Sequence, residues 1–541
     1  MFSSLHSHPY YLAAGLVACY AFVRLKNMGR RAKELPPGPP TVPILGNLHV
    51  LPKEFAHVAF TKWAHEYGEI FSLKMANGTA VVLTSVEAAR EVLDRRSATT
   101  VDRPKVGNDA VSHHAEYSYG PDRASYMKLS QASSKNIVLS TYTDDWRSLR
   151  RTAHAALTPQ ASGSHLPIQL AESIQLLYDI LHDPENFYTH IRREATSIIL
   201  SVLYGRRAPR FGTREVGEFY HAQDLWTRVL DPGAVPATCR EVRRLQRGLY
   251  FRLLGECEAR LADGRHVGCF MEEVLERREE FALTRELAGY LGGALIEGGS
   301  DTTATYLQSF VLALLAHPAV QRKAQAEMDR VVGQERAPTL DDLPMLPYLQ
   351  AVVKEVHRWR PVTPFGVPHA ALADEWYKGH LIPKGSTIFV NQWGILHDEN
   401  LYEHADSFEP ERWLKNEFGV QDGVDTSEFR INLEFGYGRR VCPGMHVAKN
   451  TIGINTSRLV WAFNFEPVAG KAEDIDTMNY ISGITNFPDV FQAKITPRSK
   501  QIAELIDHEF LAASLDFERY ESLLSPEDKA HVQKARGAFE A

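Results

Sequence analysis

The stretch Phe435-Gly436-Tyr437-Gly438-Arg439-Arg440-Val441-Cys442-Pro443-Gly444 decides how this chain is read. Glycines at 436, 438 and 444 surround one thiol, so the backbone can turn tightly and let a flat group approach closely. Amide N–H groups in such a loop can point at sulfur and stabilise the thiolate, the form that binds iron. Arg440, two residues from Cys442, supplies a cation suited to a cofactor carboxylate, and Phe435 offers an aromatic face at the loop entrance. Taken alone, a cysteine in a glycine-rich turn reads first as a small buried hydrophobe. The fixed offsets Phe-x-x-Gly-x-Arg-x-Cys-x-Gly are what favour a metal.

Working upstream, Thr284–Leu315 reads as one long helix stopped at His317-Pro318, about 50 Å at ~1.5 Å per residue. It holds Gly289, Gly292, Gly293, Gly298 and Gly299, each costing roughly 1 kcal/mol against alanine in a helix interior. Either the segment is not helical, or something large and flat passes close to its backbone. The run ends in Gly298-Gly299-Ser300-Asp301-Thr302-Thr303. An opened turn there would free carbonyls to hold water, with Asp301 and Thr302 relaying protons; back-bonded hydroxyls are the plainer alternative. Glu355 and Arg358 stand three apart on one helix face, an ordinary surface pair in isolation. Trp146 and Arg150 lie one turn apart and bring only donors, suited to a carboxylate, or else form a buried Trp beside an exposed Arg.

Together these motifs resemble the cytochrome P-450 monooxygenases over roughly residues 34–498, with wording around Trp359-Arg360-Pro361 and Pro410–Trp413 similar to microsomal enzymes of filamentous fungi. The resemblance implies a mainly α fold with small β-sheets, a single large heme domain behind an N-terminal membrane anchor. It implies heme b with Cys442 as its thiolate ligand, and Asp301 and Thr302 delivering protons to dioxygen. Trp146, Arg150, His369, Phe435 and Arg440 would hold the heme, the propionates falling to Trp146, Arg150, His369 and Arg440. Arg412, in Pro410-Glu411-Arg412-Trp413, would close on Glu355 and Arg358 as a buried triad near the Cys loop. The implied reaction is hydroxylation or epoxidation of an apolar small molecule, a fungal specialised metabolite by association. Val362, Thr363, Phe365, Ile484 and Thr485 are candidate cavity walls. A heme-thiolate isomerase or dehydratase, and a silent heme-binding protein, are the alternatives; the intact Asp301-Thr302 pair argues against the former. Two departures touch substrate entry: the irregular stretch before Trp146 is long, and the segment from Asp231-Pro232-Gly233 to Arg240 is short.

With 541 residues the chain has no room for a fused reductase, and it shows no Gly-x-Gly-x-x-Gly fingerprint after a strand. Electrons would come from NADPH through a separate membrane-bound reductase, with cytochrome b5 as a further donor. A formal charge of −7, from 60 basic and 67 acidic residues, gives no reason to expect nucleic acid. The five cysteines form no Cys-x-x-Cys pair, which suits a reducing compartment.

Residues 1–33 read as an anchor: Tyr10–Val23 is an uncharged apolar run of 14 residues followed by Arg24, Lys26, Arg30, Arg31 and Lys33. This is shorter than the ~20 residues that cross a bilayer, and a cleaved signal competes, but the positive charge follows the run instead of preceding it. By the positive-inside rule the body is cytosolic, on the endoplasmic reticulum. Residues 34–41 read as a proline-rich hinge, 42–499 as the catalytic domain and 500–541 as a solvated helical tail. Asn77-Gly78 marks a hairpin between Ile70–Lys74 and Thr79–Thr84, and residues 104–143 form an irregular polar connection.

Overall fold

Thr284 caps the long helix by accepting the Leu287 amide at 3.2 Å, and the helix runs unbroken from Arg285 to Ala316, where Pro318 forbids its continuation. The computed structural model to which this helix belongs describes residues 8–104, 135–229, 236–468, 470 and 472–537. Of the irregular connection expected over 104–143, residues 105–134 lie outside them, as do residues 231–235 of the short segment that runs to Arg240.

The helix is buried on nearly all sides, which removes any amphipathic stripe. Four of its five glycines are explained by neighbours. A Cβ at Gly289 would stand 2.7 Å from Phe251, at Gly292 2.1 Å from Tyr204, at Gly293 2.2 Å from Tyr250 and at Gly299 2.4 Å from Ile199. These glycines are sockets for side chains of Phe187–Tyr204 and Pro236–Ala262, the two helices packed across it. Only Gly298 faces open space. The helix is also continuous through Gly298–Thr303, so the opened turn expected there is not formed.

Further helices at Asp144–Leu157, Leu166–His182, Pro347–Trp359 and Met445–Ala462 complete the helical body, and beside it lies a four-stranded sheet. Ile70–Met75 pairs antiparallel with Gly78–Leu83, from Ile70 opposite Leu83 to Met75 opposite Gly78. The hairpin turn is therefore Ala76-Asn77, with Ala76 left-handed at φ 53°, one residue earlier than Asn77-Gly78 suggested. This register puts Phe71, Leu73 and Met75 in one cluster with Ala80 and Val82, and a one-residue slip would reverse both faces. Gly78–Leu83 continues in parallel to Thr387–Val390, which carries the edge strand His369–Ala370 and so positions His369.

Both chain ends depart from the expected boundaries. The helix His8–Asn27 exposes Leu16, Val17, Tyr20, Val23 and Leu25, and no single helix among the described residues is long and apolar enough to cross a membrane. The proline segment is not a free hinge. Arg31 donates to the carbonyls of Gly38 (2.8 Å), Pro39 (2.9 Å) and Ser72 (2.9 Å), and the Ser72 hydroxyl donates to Pro36 O at 2.6 Å. The tail is likewise docked. Ile502, Ile506, Phe510 and Phe517 are buried, and Arg207 bridges Glu172 (3.0 Å) and Glu521 (2.6 Å) with its guanidinium over the Phe517 ring. The physical reason is an apolar face in Lys500–Ala512 that the Leu166–His182 helix covers, Tyr178 stacking on Phe510 at 4.0 Å.

Candidate active site

The Cys loop is held from both ends. Gly436 and Gly438 take left-handed φ of 84° and 55°, and a Cβ on Gly438 would lie 2.2 Å from Leu93 O. The Gly438 amide donates to Asp94 Oδ1 at 2.6 Å, and the Cys442 amide donates to Phe435 O at 2.8 Å. The loop is thus clamped to the helical turn Arg90–Arg95, with Cys442 presented to a cavity of about 390 Å³. Burial pushes the thiol upward; the Gly444 amide and the Arg150 charge oppose it. Phe435 lines the cavity beside Cys442.

Ala294, Gly298, Asp301 and Thr302 of the long helix form another wall of the same cavity, with Val362, Thr363, Phe365, Ile484 and Thr485 among the remaining walls. Thr302 Oγ1 donates to Gly298 O at 2.6 Å, the back-bonded arrangement. Asp301 Oδ2 accepts from Thr485 Oγ1 at 2.8 Å and from Gln223 at 3.5 Å, and burial raises its pKa.

Four basic side chains converge elsewhere on the cavity: Arg103, Arg150, His369 and Arg440. Burial lowers Arg103 well below its ordinary value, lowers Arg150, and brings Arg440 down to about 10; neighbouring arginines add to the effect on Arg103 and Arg440. Burial, with Arg103 and Arg440 alongside, pushes His369 down to about 3 while its Nδ1 donates to Thr100 O at 2.9 Å. Among the described residues, the carboxylate acting on Arg103 and Arg440 is Asp102, whose Oδ1 accepts the Tyr142 amide at 2.6 Å. This end of the cavity is, among the described residues, short of negative charge. A flat group carrying two carboxylates fits the donor set, and heme b is such a group.

Two expected donors are otherwise engaged. The Trp146 indole N–H donates to Ile137 O at 2.9 Å, a carbonyl presented by the turn in which Asn136 accepts the Val138 amide. Arg440 lies 4.0 Å over that indole ring and donates to the carbonyls of Val101 and Ser140, each at 2.8 Å. Trp146 is therefore wall and platform, and Arg150, with no hydrogen-bond partner among the described residues, is the freest cation at the site. Arg103 was missed by sequence reasoning. It donates to Val138, Val367 and Pro368 carbonyls 35 to 265 residues away, so no local pattern reveals it. Glu297 was also missed, although a lone acid four residues before Asp301 on an apolar helix was a readable signal.

Behind the Cys loop, Glu355 accepts from Arg358 at 2.8 and 2.9 Å, from Arg412 Nε at 3.2 Å, from the Glu409 amide at 2.8 Å and from Trp413 Nε1 at 2.8 Å. Arg358 spends its other N–H groups on the carbonyls of Leu396, Ala405 and Ser407. The triad thus has a fourth member, Trp413, and pins residues 396–412, which precede the Cys loop in the chain.

The family model described as cytochrome P-450 matches residues 36–494. A cytochrome P-450 monooxygenase of Armillaria gallica is 39% identical over 95% of this chain and 98% of its own length. The monooxygenase yanC of Aspergillus niger is 34% identical, covering 90% and 94%. A zebra fish cytochrome P-450 solved with progesterone is 25% identical and superposes with a TM-score of 0.66 over 82% of this chain and 99% of that one.

Proposed function

Since this chain belongs to the cytochrome P-450 family, whose members are oxygen-incorporating oxidoreductases using heme b with a cysteine thiolate ligand, we propose that Cys442 is that ligand and that the cavity it faces oxidises an apolar small molecule. The observation that carries this reading is that Cys442 and the Asp301-Thr302 pair line one cavity. Arg150 would hold the propionates directly, with Arg103, His369 and Arg440 supplying positive charge around them. A carboxylate against His369 would raise the ring's pKa again, opposing the burial and the arginine charges that depress it. Heme bound there supplies dioxygen activation, which thiolate donation favours. The chain's own residues orient the substrate, exclude water and move protons.

Thr302 passes the proton at its Oγ1 by swinging off Gly298 O. Asp301, raised by burial and tied to Thr485 and Gln223, is the reserve behind it. The substrate is an apolar fungal specialised metabolite, hydroxylated or epoxidised with electrons from NADPH through a separate reductase, cytochrome b5 assisting; the fungal relatives support this source. Thr302→Ala is expected to keep heme and substrate affinity while product formation falls by ~10²–10⁴ and NADPH electrons go to peroxide or water. Assay with NADPH and a reductase measures this. Product per NADPH equal to that of the wild type would refute the role.

The exposed apolar residues of His8–Asn27, with the basic flank after them, support a membrane anchor on the cytosolic face of the endoplasmic reticulum. Because Gly29 and Arg31 are docked on the body, the removable part is residues 1–26. Its deletion should weaken membrane association and leave the ferrous–carbon monoxide spectrum unchanged. Undiminished sedimentation with membranes would count against the anchor.

A further inference from the structure

Glu297 is a carboxyl in the wall of an otherwise largely apolar cavity, on the same helix as Thr302. Removing a carboxylate from water without a partner is costly, so its surroundings should explain it. Two donors come from the Pro236–Ala262 helix: Gln246 Nε2 at 2.8 Å and the Tyr250 hydroxyl, both on Oε1. Tyr250 is itself fixed by its ring seating in the socket left by Gly293. No cation pairs with Glu297 among the described residues. The titratable groups acting on it are Tyr250 and, from its own helix, Asp301. Oε2 has no protein partner among the described residues and is not among the sealed, unsatisfied atoms, so it is open to the cavity.

We infer that Glu297 Oε2 receives a hydroxyl group of an otherwise apolar substrate and so selects which end of that molecule faces Thr302. Thr302 lies five residues further along the helix, a rise of about 7.5 Å with a turn of about 140°, so the oxidised carbon is expected at least one ring away from the anchored hydroxyl. An ionised carboxylate on the substrate is disfavoured by like charge whenever Glu297 is ionised. Burial, with Asp301 adding to it and the Tyr250 hydrogen bond opposing, raises Glu297 to about 7, so near neutrality it accepts a hydroxyl in either protonation state. A site built to bond a substrate hydroxyl discriminates against the analogue lacking it more sharply than an apolar wall does.

The inference rests on the monooxygenase reading for the position of the reacting carbon, and the test separates the two. Full-length heme-loaded enzyme is titrated with 4-phenylphenol, biphenyl and biphenyl-4-carboxylate, followed by the spectral shift on binding and by calorimetry. The ferrous–carbon monoxide spectrum of every variant is recorded first; a missing thiolate band in the wild type sinks the heme reading. With that band present, 4-phenylphenol is expected to bind about tenfold tighter than biphenyl, some 1.4 kcal/mol, and the carboxylate weaker than both. Glu297→Leu should bring the phenol and biphenyl affinities to within about twofold by removing the acceptor. The near-isosteric Glu297→Gln, should the Leu variant fail to fold, keeps the phenol preference and loses the rejection of the carboxylate. A wild type that binds the phenol no tighter than biphenyl overturns the assignment. So does a Leu variant that keeps the gap, or a Gln variant that still rejects the carboxylate.

Discussion

Cys442→Ala is expected to abolish the red-shifted Soret band of the ferrous–carbon monoxide complex, and with it all NADPH-supported product formation. The backbone of the loop does not depend on the sulfur. It is held by the Cys442 amide on Phe435 O, the Gly438 amide on Asp94 and the two left-handed glycines, none of which the substitution touches. Loss of the band would therefore report loss of the ligand and not collapse of the loop. Arg103, Arg150, His369 and Arg440 remain in place in the variant, so residual heme binding through the propionates is compatible with the assignment. Survival of the thiolate band in Cys442→Ala would remove Cys442 as the ligand.

Glu355→Ala is expected to destabilise the heme-loaded enzyme by about 3–5 kcal/mol, because removing one partner of a buried ion pair strands the other charges. Here the effect is concentrated. Glu355 and Arg358 are fully buried, Arg412 nearly so, and the lost carboxylate accepts from Arg358, Arg412, Trp413 and the Glu409 amide at once. Arg358→Lys should recover little, since a single ammonium cannot serve the Glu355 carboxylate and the carbonyls of Leu396, Ala405 and Ser407 together. Thermal inactivation and heme retention measure the effect. A Glu355→Ala enzyme that retains heme as long as the wild type would show that this network does not support the Cys loop.

Several parts of this protein were legible because the residues that act together are close in sequence. The Phe435–Gly444 loop carries its own glycines, cation and thiol. Thr284 and Pro318 bound the long helix by local backbone chemistry, and the spacing of Glu355 and Arg358 follows from one helical turn. Folding was needed wherever the partner is remote. The glycines of the long helix were misread because the side chains that fill them, Tyr204, Tyr250, Phe251 and Ile199, belong to other helices. Trp146 reads as a free donor from sequence although Ile137 O accepts its indole N–H, and Arg103 acquires meaning only where carbonyls from residues 138, 367 and 368 meet. Composition made the tail a solvated helix, yet Ile502, Ile506 and Phe510 are covered by the Leu166–His182 helix. Local sequence determines backbone conformation and the identity of reactive groups over a few residues. Which groups are desolvated, which charges lack a partner and which donors are already spent depend on contacts across hundreds of residues, and those only the tertiary structure decides.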